Sequence, residues 1–245
     1  MAGIKGILFD LGDTLLDFGV VDTIDLFEQG ARLTYDYLKS LGQPLPTFQA
    51  YHRRELWAIR WAYLKSRIIR REFNSQDILG RLSAAMGQKL TGAQFAELAW
   101  LWYEPLSRQA KVEPDLPRIL KRFADQGLKL AIISNTFIPA EVLDRHLQRE
   151  DLLKFFAVRI YSCDVRYRKP HPRIFDTAMR EVGLKPQEVV FVGDSLVADI
   201  RGAHRAGMIT VLKDPTGLKV HRRIRPDHVI CAISELPALL TKYQG

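Results

Sequence analysis

Four groups of polar residues stand where short apolar runs stop. Asp10, Gly12, Asp13 and Thr14 follow IKGILF; Ser134, Asn135 and Thr136 follow LKLAII; Lys169 lies in RYRKP, shortly after FAVRIYS; Asp194, Ser195 and Asp199 follow EVVFVG. Any one of these is ordinarily a turn or helix-cap residue. As a set they have a chemistry. Asp10 and Asp194, at the ends of neighbouring strands, are like charges that repel unless a cation or an unusual proton sits between them. Hard oxygen ligands of this kind suit Mg²⁺, which keeps several waters and often shares its coordination with a substrate phosphate. Ser134, a nearby backbone amide and Lys169 then hold phosphate oxygens as transferred charge develops. The expected chemistry is phosphoryl transfer.

The elements that must position these groups are legible from hydrophobic patterning. IKGILFD (4–10), LKLAIISN (128–135), EVVFVGD (188–194) and ITVLKD (209–214) are near-continuous apolar runs of strand length, with FAVRIYS (156–162) and DHVI (227–230) as further candidates. Such runs alternating with helices indicate a mostly parallel sheet covered on both faces, an α/β, doubly wound, Rossmann-like architecture. The intervening helices carry their own punctuation: EPDLPRILKRFADQG has prolines near its start and Gly127 at its stop, and HPRIFDTAMREVG ends on Gly183. More than a hundred residues separate the first strand from the second, far beyond the needs of a crossover. That interval reads as helix after helix, broken near 42–47, 74–77 and 87–92. The expected organisation is a core of residues 1–16 and 107–245, interrupted by an all-helical cap at 17–106.

A chain of 245 residues with 47% hydrophobic content can bury a substantial core. Apolar runs of strand length and the absence of a secretory pattern around Lys5 predict a chain that does not span a membrane and works in the cytoplasm. Cys163 and Cys231 are far apart with no CxxC or Cys/His cluster, which argues against a zinc site or a disulfide framework. Both are expected to be buried small hydrophobes. The formal net charge of +8 favours anionic partners without choosing among them.

FDLGDTL, IISN, RKP and FVGDSLVAD, in this order across nearly the whole chain, resemble the four motifs of the haloacid dehalogenase-like hydrolase superfamily, with a helical insertion just after the first. The resemblance implies that Asp10 is a nucleophile forming an aspartyl-phosphate that water later hydrolyses. It implies that Mg²⁺ is held by Asp10, by the main-chain carbonyl of Gly12 and by Asp194, with Asp199 orienting ligand waters or Lys169. It further implies that Ser134, with Asn135 beside it, meets a phosphate oxygen, and that Lys169 neutralises the adduct. The phosphatases of that superfamily carry D-x-D-x-T, whose second Asp protonates the leaving oxygen and then activates water. Here that position is Gly12. Asp13 comes one residue late and reads as a turn residue, and His171 in KPHP reads as a helix-start residue. The expected function is a Mg²⁺-dependent phosphohydrolase of a small phosphorylated metabolite. The alternatives are a non-catalytic relative that binds a phosphorylated ligand or a protein, and, further off, a phospho-accepting receiver module, which is about half this length. Superfamily branches without the second Asp include dehalogenases, which need no metal, and phosphonate hydrolases, which need a cap lysine such as Lys39 or Lys65.

RRELWAIRWAYLKSRIIRRE (53–72) combines seven basic residues with aromatics. At about 100° per residue, Arg53, Arg60, Arg67 and Arg71 form one stripe, with Trp57, Trp61, Leu64 and Ile68 on one side and Leu56, Ile59 and Tyr63 on the other. The expectation is that the arginines snorkel around a packed apolar face. The sharper reading is that Arg60 and Arg67 bind the anionic body of a substrate. Nucleic acid is not an expected partner, because aromatics that must pack leave no face for stacking. The basic run KVHRRIRPDH (219–228) reads as solvated loop charge.

Overall fold

The computed structural model describes residues 3–69 and 71–243. Six parallel strands form one sheet in the order β3-β2-β1-β4-β5-β6. They are β1 (Gly6–Phe9), β2 (Lys129–Ser134), β3 (Val158–Tyr161), β4 (Val189–Gly193), β5 (Ile209–Lys213) and β6 (His228–Ile230). All six expected runs are in the sheet. Every residue of β1 and β4 is buried, as strands covered on both faces must be. Leu8, Ile133, Phe175 and Phe191 lie in one apolar cluster, to which each fully buried side chain contributes roughly 1.5–3 kcal/mol. The sheet register places Phe9 beside both Ile132 and Val192, so the polar residues that follow β1, β2 and β4 emerge side by side.

The helices are α1 (Thr23–Ser40), α2 (Phe48–Ile69), α3 (Ser75–Ala85), α4 (Gly92–Ser107), α5 (Leu116–Asp125), α6 (Ala140–Arg149), α7 (Ser162–Val165), α8 (Pro172–Val182), α9 (Arg201–Arg205) and α10 (Leu236–Leu240). The chain divides into two compact units: residues 1–17, 111–135 and 147–245 form the first, and 18–110 with 136–146 form the second. The first holds the sheet. In the second, α1 to α4 begin or end at the three expected breaks. The Asp22 carboxylate caps α1, Asn74 caps α3, and Thr91 with Gln94 makes a reciprocal capping box on α4. A side chain at Gly30 would come within 2.5 Å of the Trp102 carbonyl, so glycine permits the close approach of α1 and α4.

Residues 136–146 had no place in the expected cap. They join the helical unit because Phe137 stacks on Phe73, with ring centroids 5.0 Å apart, and its carbonyl accepts from the Ser75 amide at 2.8 Å. Tyr103 and His146 add a buried hydrogen bond of 2.9 Å. The expected apolar packing of α2 is also corrected. The buried side carries Tyr51, Glu55, Ile59 and Ser66, whereas Trp57, Trp61, Leu64 and Ile68 face solvent, Trp57 being 69% exposed. The helix stops at Ile69, so Arg71 lies beyond it. Cys163 is buried as expected, but Cys231 is exposed. No helix among the described residues is long and apolar enough to cross a membrane.

Glu55 is 2% exposed, and its Oε1 has no hydrogen-bond partner. Burial pushes its carboxyl up to about 8. With the folded value above the ordinary 4.5, the neutral acid is the form the fold prefers. Its contribution to stability is complete below about pH 4.5 and is lost as pH rises towards 8, costing roughly 3 kcal/mol by neutrality. Glu55→Gln is therefore expected to flatten the pH dependence of urea unfolding between pH 5 and 8 and to be more stable than wild type at pH 8.

Candidate active site

The site lies at the carboxyl ends of the central strands, where an open parallel sheet leaves its ligand crevice. Asp10 follows β1 directly. Its backbone amide donates to the Val192 carbonyl at 2.9 Å, which extends the β1–β4 pairing by one residue, and its Oδ1 accepts from the Leu11 amide at 2.7 Å. Asp194 follows β4. Asp199 sits in the π turn Leu196–Ile200, fully buried, with Oδ2 accepting from the Ser195 amide at 2.9 Å. Carboxylate oxygens of Asp10, Asp194 and Asp199 all lie within 4.8 Å of one another.

Lys169 enters this cluster from the chain between α7 and α8. It is 4% exposed, and its Nζ lies 2.7 Å from Asp10 Oδ1 and 2.7 Å from Asp199 Oδ1 while donating to the Ile133 carbonyl at 2.7 Å. Burial alone would lower the ammonium. The charges and hydrogen bonds of Asp10 and Asp199 overcome that and hold Lys169 above its ordinary value. Asp10 is moved the other way for a carboxylate, up to about 7. Burial is the main cause, Lys169 offsets it, and Asp199 and Asp194 reinforce it. Asp199 is raised by burial as well, with Lys169 again the principal offset. Three carboxylates converging on one ammonium are under-neutralised. The donor set is all hard oxygen, with Asp199 buried and Asp10 and Asp194 partly open to solvent, and it fits a small divalent cation such as Mg²⁺.

Ser134 ends β2 and is 5% exposed, beside the strand from which Asp10 emerges. Asn135, expected to meet substrate, has a different use. Its Oδ1 accepts from the Lys169 amide at 2.7 Å and its Nδ2 donates to the Lys169 carbonyl at 3.1 Å. Both ends of the amide are spent on fixing the backbone that carries the lysine. Gly12 and Asp13 lie in the turn after Asp10, which the Asp13 amide closes by donating to the Leu16 carbonyl at 2.7 Å. Asp13 is exposed and has φ +55°, a turn conformation open to Asp and Asn. His171 caps α8, its Nδ1 accepting from the Arg173 amide at 3.2 Å, and its ring stacks on Tyr167. Arg60 lies on the exposed side of α2, and the side chain of Arg67 is outside the described portion of the structure.

Two features of the site are invisible in the motifs. Lys219 Nζ lies 3.1 Å from Asp194 Oδ2 and donates to the Asp194 carbonyl at 2.8 Å, a second ammonium supplied from sequence far downstream. Lys213, at the end of β5, pairs with Glu113 at 2.8 Å and donates to the Thr14 carbonyl at 2.8 Å, tying down the turn that holds Gly12. The strand-exit rule pointed to the end of β5 but gave no reason to choose this residue.

Gly193 has a steric role here. A Cβ at this position would fall 2.5 Å from Asp199 Cγ. Gly193→Ala is expected to push Asp199 off Lys169 and to cost about 1–3 kcal/mol of stability by overpacking. Thermal unfolding measures that cost, and a crystal structure of the variant checks the displacement.

The sequence profile of the haloacid dehalogenase-like hydrolase family matches residues 4–207. The chain is 30% identical over 208 residues to the glyceraldehyde 3-phosphate phosphatase of Methanopyrus kandleri, covering 85% of this chain and 83% of the relative. Among solved structures it resembles an HAD phosphatase from Thermococcus onnurineus, with a TM-score of 0.61, 26% identity and coverage of 97% and 98% of the two chains. It also resembles a 2-haloacid dehalogenase from Pseudomonas syringae pv. Tomato, with a TM-score of 0.65, 25% identity and coverage of 98% and 99%.

Proposed function

The chain belongs to the haloacid dehalogenase-like hydrolase family, and from that premise we propose that it is a Mg²⁺-dependent phosphohydrolase of a small phosphorylated metabolite, working through an aspartyl-phosphate on Asp10. The observation that carries this reading is the convergence of Asp10, Asp194 and Asp199, all within 4.8 Å, around a buried lysine. A dehalogenase needs no metal and gains nothing from three clustered carboxylates. A phosphatase needs them. The glyceraldehyde 3-phosphate phosphatase among the relatives supports the same choice.

Asp10, Asp194 and the Gly12 carbonyl would hold Mg²⁺, with Asp199 close by, and when bound the cation offsets the negative charge of the phosphoryl oxygens and of the carboxylates. Asp10 attacks phosphorus with one carboxylate oxygen; the new P–O bond forms as the bond to the leaving oxygen breaks, and that oxygen departs with the electron pair. Lys169, held between Asp10 and Asp199, favours the ionised nucleophile and then lies against the charge of the adduct. Ser134 would donate its hydroxyl to a phosphate oxygen. Asn135 acts one step back, by fixing the lysine's main chain. Water then attacks the phosphorus of the aspartyl-phosphate; the new P–O bond forms as the bond to the Asp10 oxygen breaks, the water's proton passes to solvent, and phosphate leaves with the Asp10 carboxylate regenerated.

Gly12 supplies no proton to the leaving oxygen and takes none from the attacking water. A positioned acid or base contributes about 10²- to 10⁴-fold, or roughly 3–5.5 kcal/mol of barrier. Poor alkoxide leaving groups therefore suffer most, and acyl or aryl phosphates least. Gly12 is also what favours a second reading, a non-catalytic relative that uses the same cluster to bind a phosphorylated ligand.

With Mg²⁺, wild type is expected to release inorganic phosphate from acetyl phosphate and p-nitrophenyl phosphate well above an Asp10→Asn control. Release no greater than the control would leave the binding reading. Gly12→Asp is expected to raise turnover of alkyl phosphates by about 10²-fold or more, with a smaller gain on aryl phosphates. If Arg60 takes part in substrate binding, Arg60→Ala raises KM for a substrate with a second anionic group and leaves that for p-nitrophenyl phosphate unchanged.

A further inference from the structure

Asp194 already has a cation. Lys219 Nζ lies 3.1 Å from its Oδ2, donates to its carbonyl at 2.8 Å, and reaches the Lys213 carbonyl at 3.5 Å. The lysine is delivered there by a wired turn. Asp214 Oδ1 accepts from the Thr216 amide at 3.1 Å, the Thr216 hydroxyl at 2.7 Å and the Gly217 amide at 3.1 Å, and Oδ2 accepts from the Lys219 amide itself at 2.8 Å. Downstream, Ile224 is buried against Ile200 and Leu212. The segment from Asp214 to Ile224 is thus fastened at both ends, with Lys219 folded back onto the sheet and Leu218, Val220, His221, Arg222 and Arg223 left in solvent. The side chain of Lys219 is about one-third exposed, which distinguishes it from the buried Lys169.

We propose that Lys219 is a built-in counter-cation that competes with the divalent metal for Asp194 and sets the metal affinity of the site. This rests on the metal-dependent reading above. Three carboxylates meet two ammoniums, so with all five ionised only one net negative charge is left to attract a dication. A dication bound beside Asp194 must share that carboxylate with Lys219 and is repelled by it, since both charges are positive and only a few ångströms of partly desolvated protein lie between them. The opposing effect, in which the lysine steadies Asp194 and so assists binding, is the smaller one. Asp194 is also fixed by its position directly after β4, whereas the repulsion has no substitute. Metal binding at such a site is strengthened by the negative charge of an arriving phosphate, because the resident lysine has already taken up part of what the carboxylates offer.

The test is a titration with Mn²⁺ alone, followed by electron paramagnetic resonance, on wild type, Lys219→Met, Lys219→Gln, Lys219→Arg and Asp194→Asn, with thermal unfolding to confirm that each is folded. Lys219→Met and Lys219→Gln are expected to bind Mn²⁺ about tenfold more tightly than wild type and Lys219→Arg within about twofold of it, with Asp194→Asn lacking the site. A lysine that only braces the turn lowers the unfolding temperature without tightening metal binding. Unchanged or weaker binding in both neutral variants, with wild type still binding through Asp194, overturns this inference and leaves the phosphohydrolase reading standing. Absence, in wild type and in both neutral variants alike, of any Mn²⁺ site that Asp194→Asn removes overturns both.

Discussion

Three carboxylates held within 4.8 Å of one another are an unfavourable arrangement, and the sheet unit is organised around keeping them there. β1 and β4 are adjacent, so Asp10 and Asp194 leave the sheet together. The π turn after β4 folds Asp199 back beneath them, and only glycine at position 193 leaves room for its side chain. Desolvation, with a smaller contribution from mutual repulsion, raises Asp10 and Asp199, and the buried counter-charge between them is Lys169. That lysine must be placed within a few tenths of an ångström to serve two acids at once. Its main chain is accordingly clamped at both N–H and C=O by Asn135, and its ammonium by the Ile133 carbonyl. The stability sacrificed at this cluster is offset by the fully buried strands beneath it, an instance of local strain tolerated where a site must be preorganised.

The fold was legible because burial on both faces of a parallel strand writes itself as an unbroken apolar run, and all six runs became strands. The acidic residues were legible because the sheet's topology says where ligands bind, so Asp10, Ser134 and Asp194 could be chosen from among many polar residues. What sequence could not show depended on contacts between distant segments or on helical phase. Asn135 sits where a substrate ligand would be expected, yet its partner is the backbone 34 residues later. Lys219 lay in a run that read as solvated charge, and only the Asp214 turn brings it to Asp194. In α2, apolar residues occur on both sides of the arginine stripe, so periodicity did not decide which side packs. The structure buries Ile59 and Glu55 and leaves Trp57 and Trp61 in water. Residues 136–146 looked like an ordinary connection after β2, and aromatic stacking on Phe73 assigns them to the other unit.

The substitution at position 12 and the lysine at position 219 act on the same quantity. An aspartate at position 12 would add a further carboxylate next to the trio of Asp10, Asp194 and Asp199; glycine leaves it out, and Lys219 adds a positive charge at Asp194. Each shifts the local charge balance towards positive. The first removes proton transfer, which matters most when the leaving oxygen is a strong base. On the inference drawn for Lys219, the second weakens the hold on a lone dication while leaving the site receptive to the metal together with a phosphate dianion. Substrates that leave as stable anions need no proton from position 12, and a phosphate arriving with its cation brings its own compensation for Lys219. On the proposed function, the two departures therefore favour the same class of phosphorylated substrate. Acyl phosphates belong to it, since the carboxylate they release is stable without protonation at neutral pH.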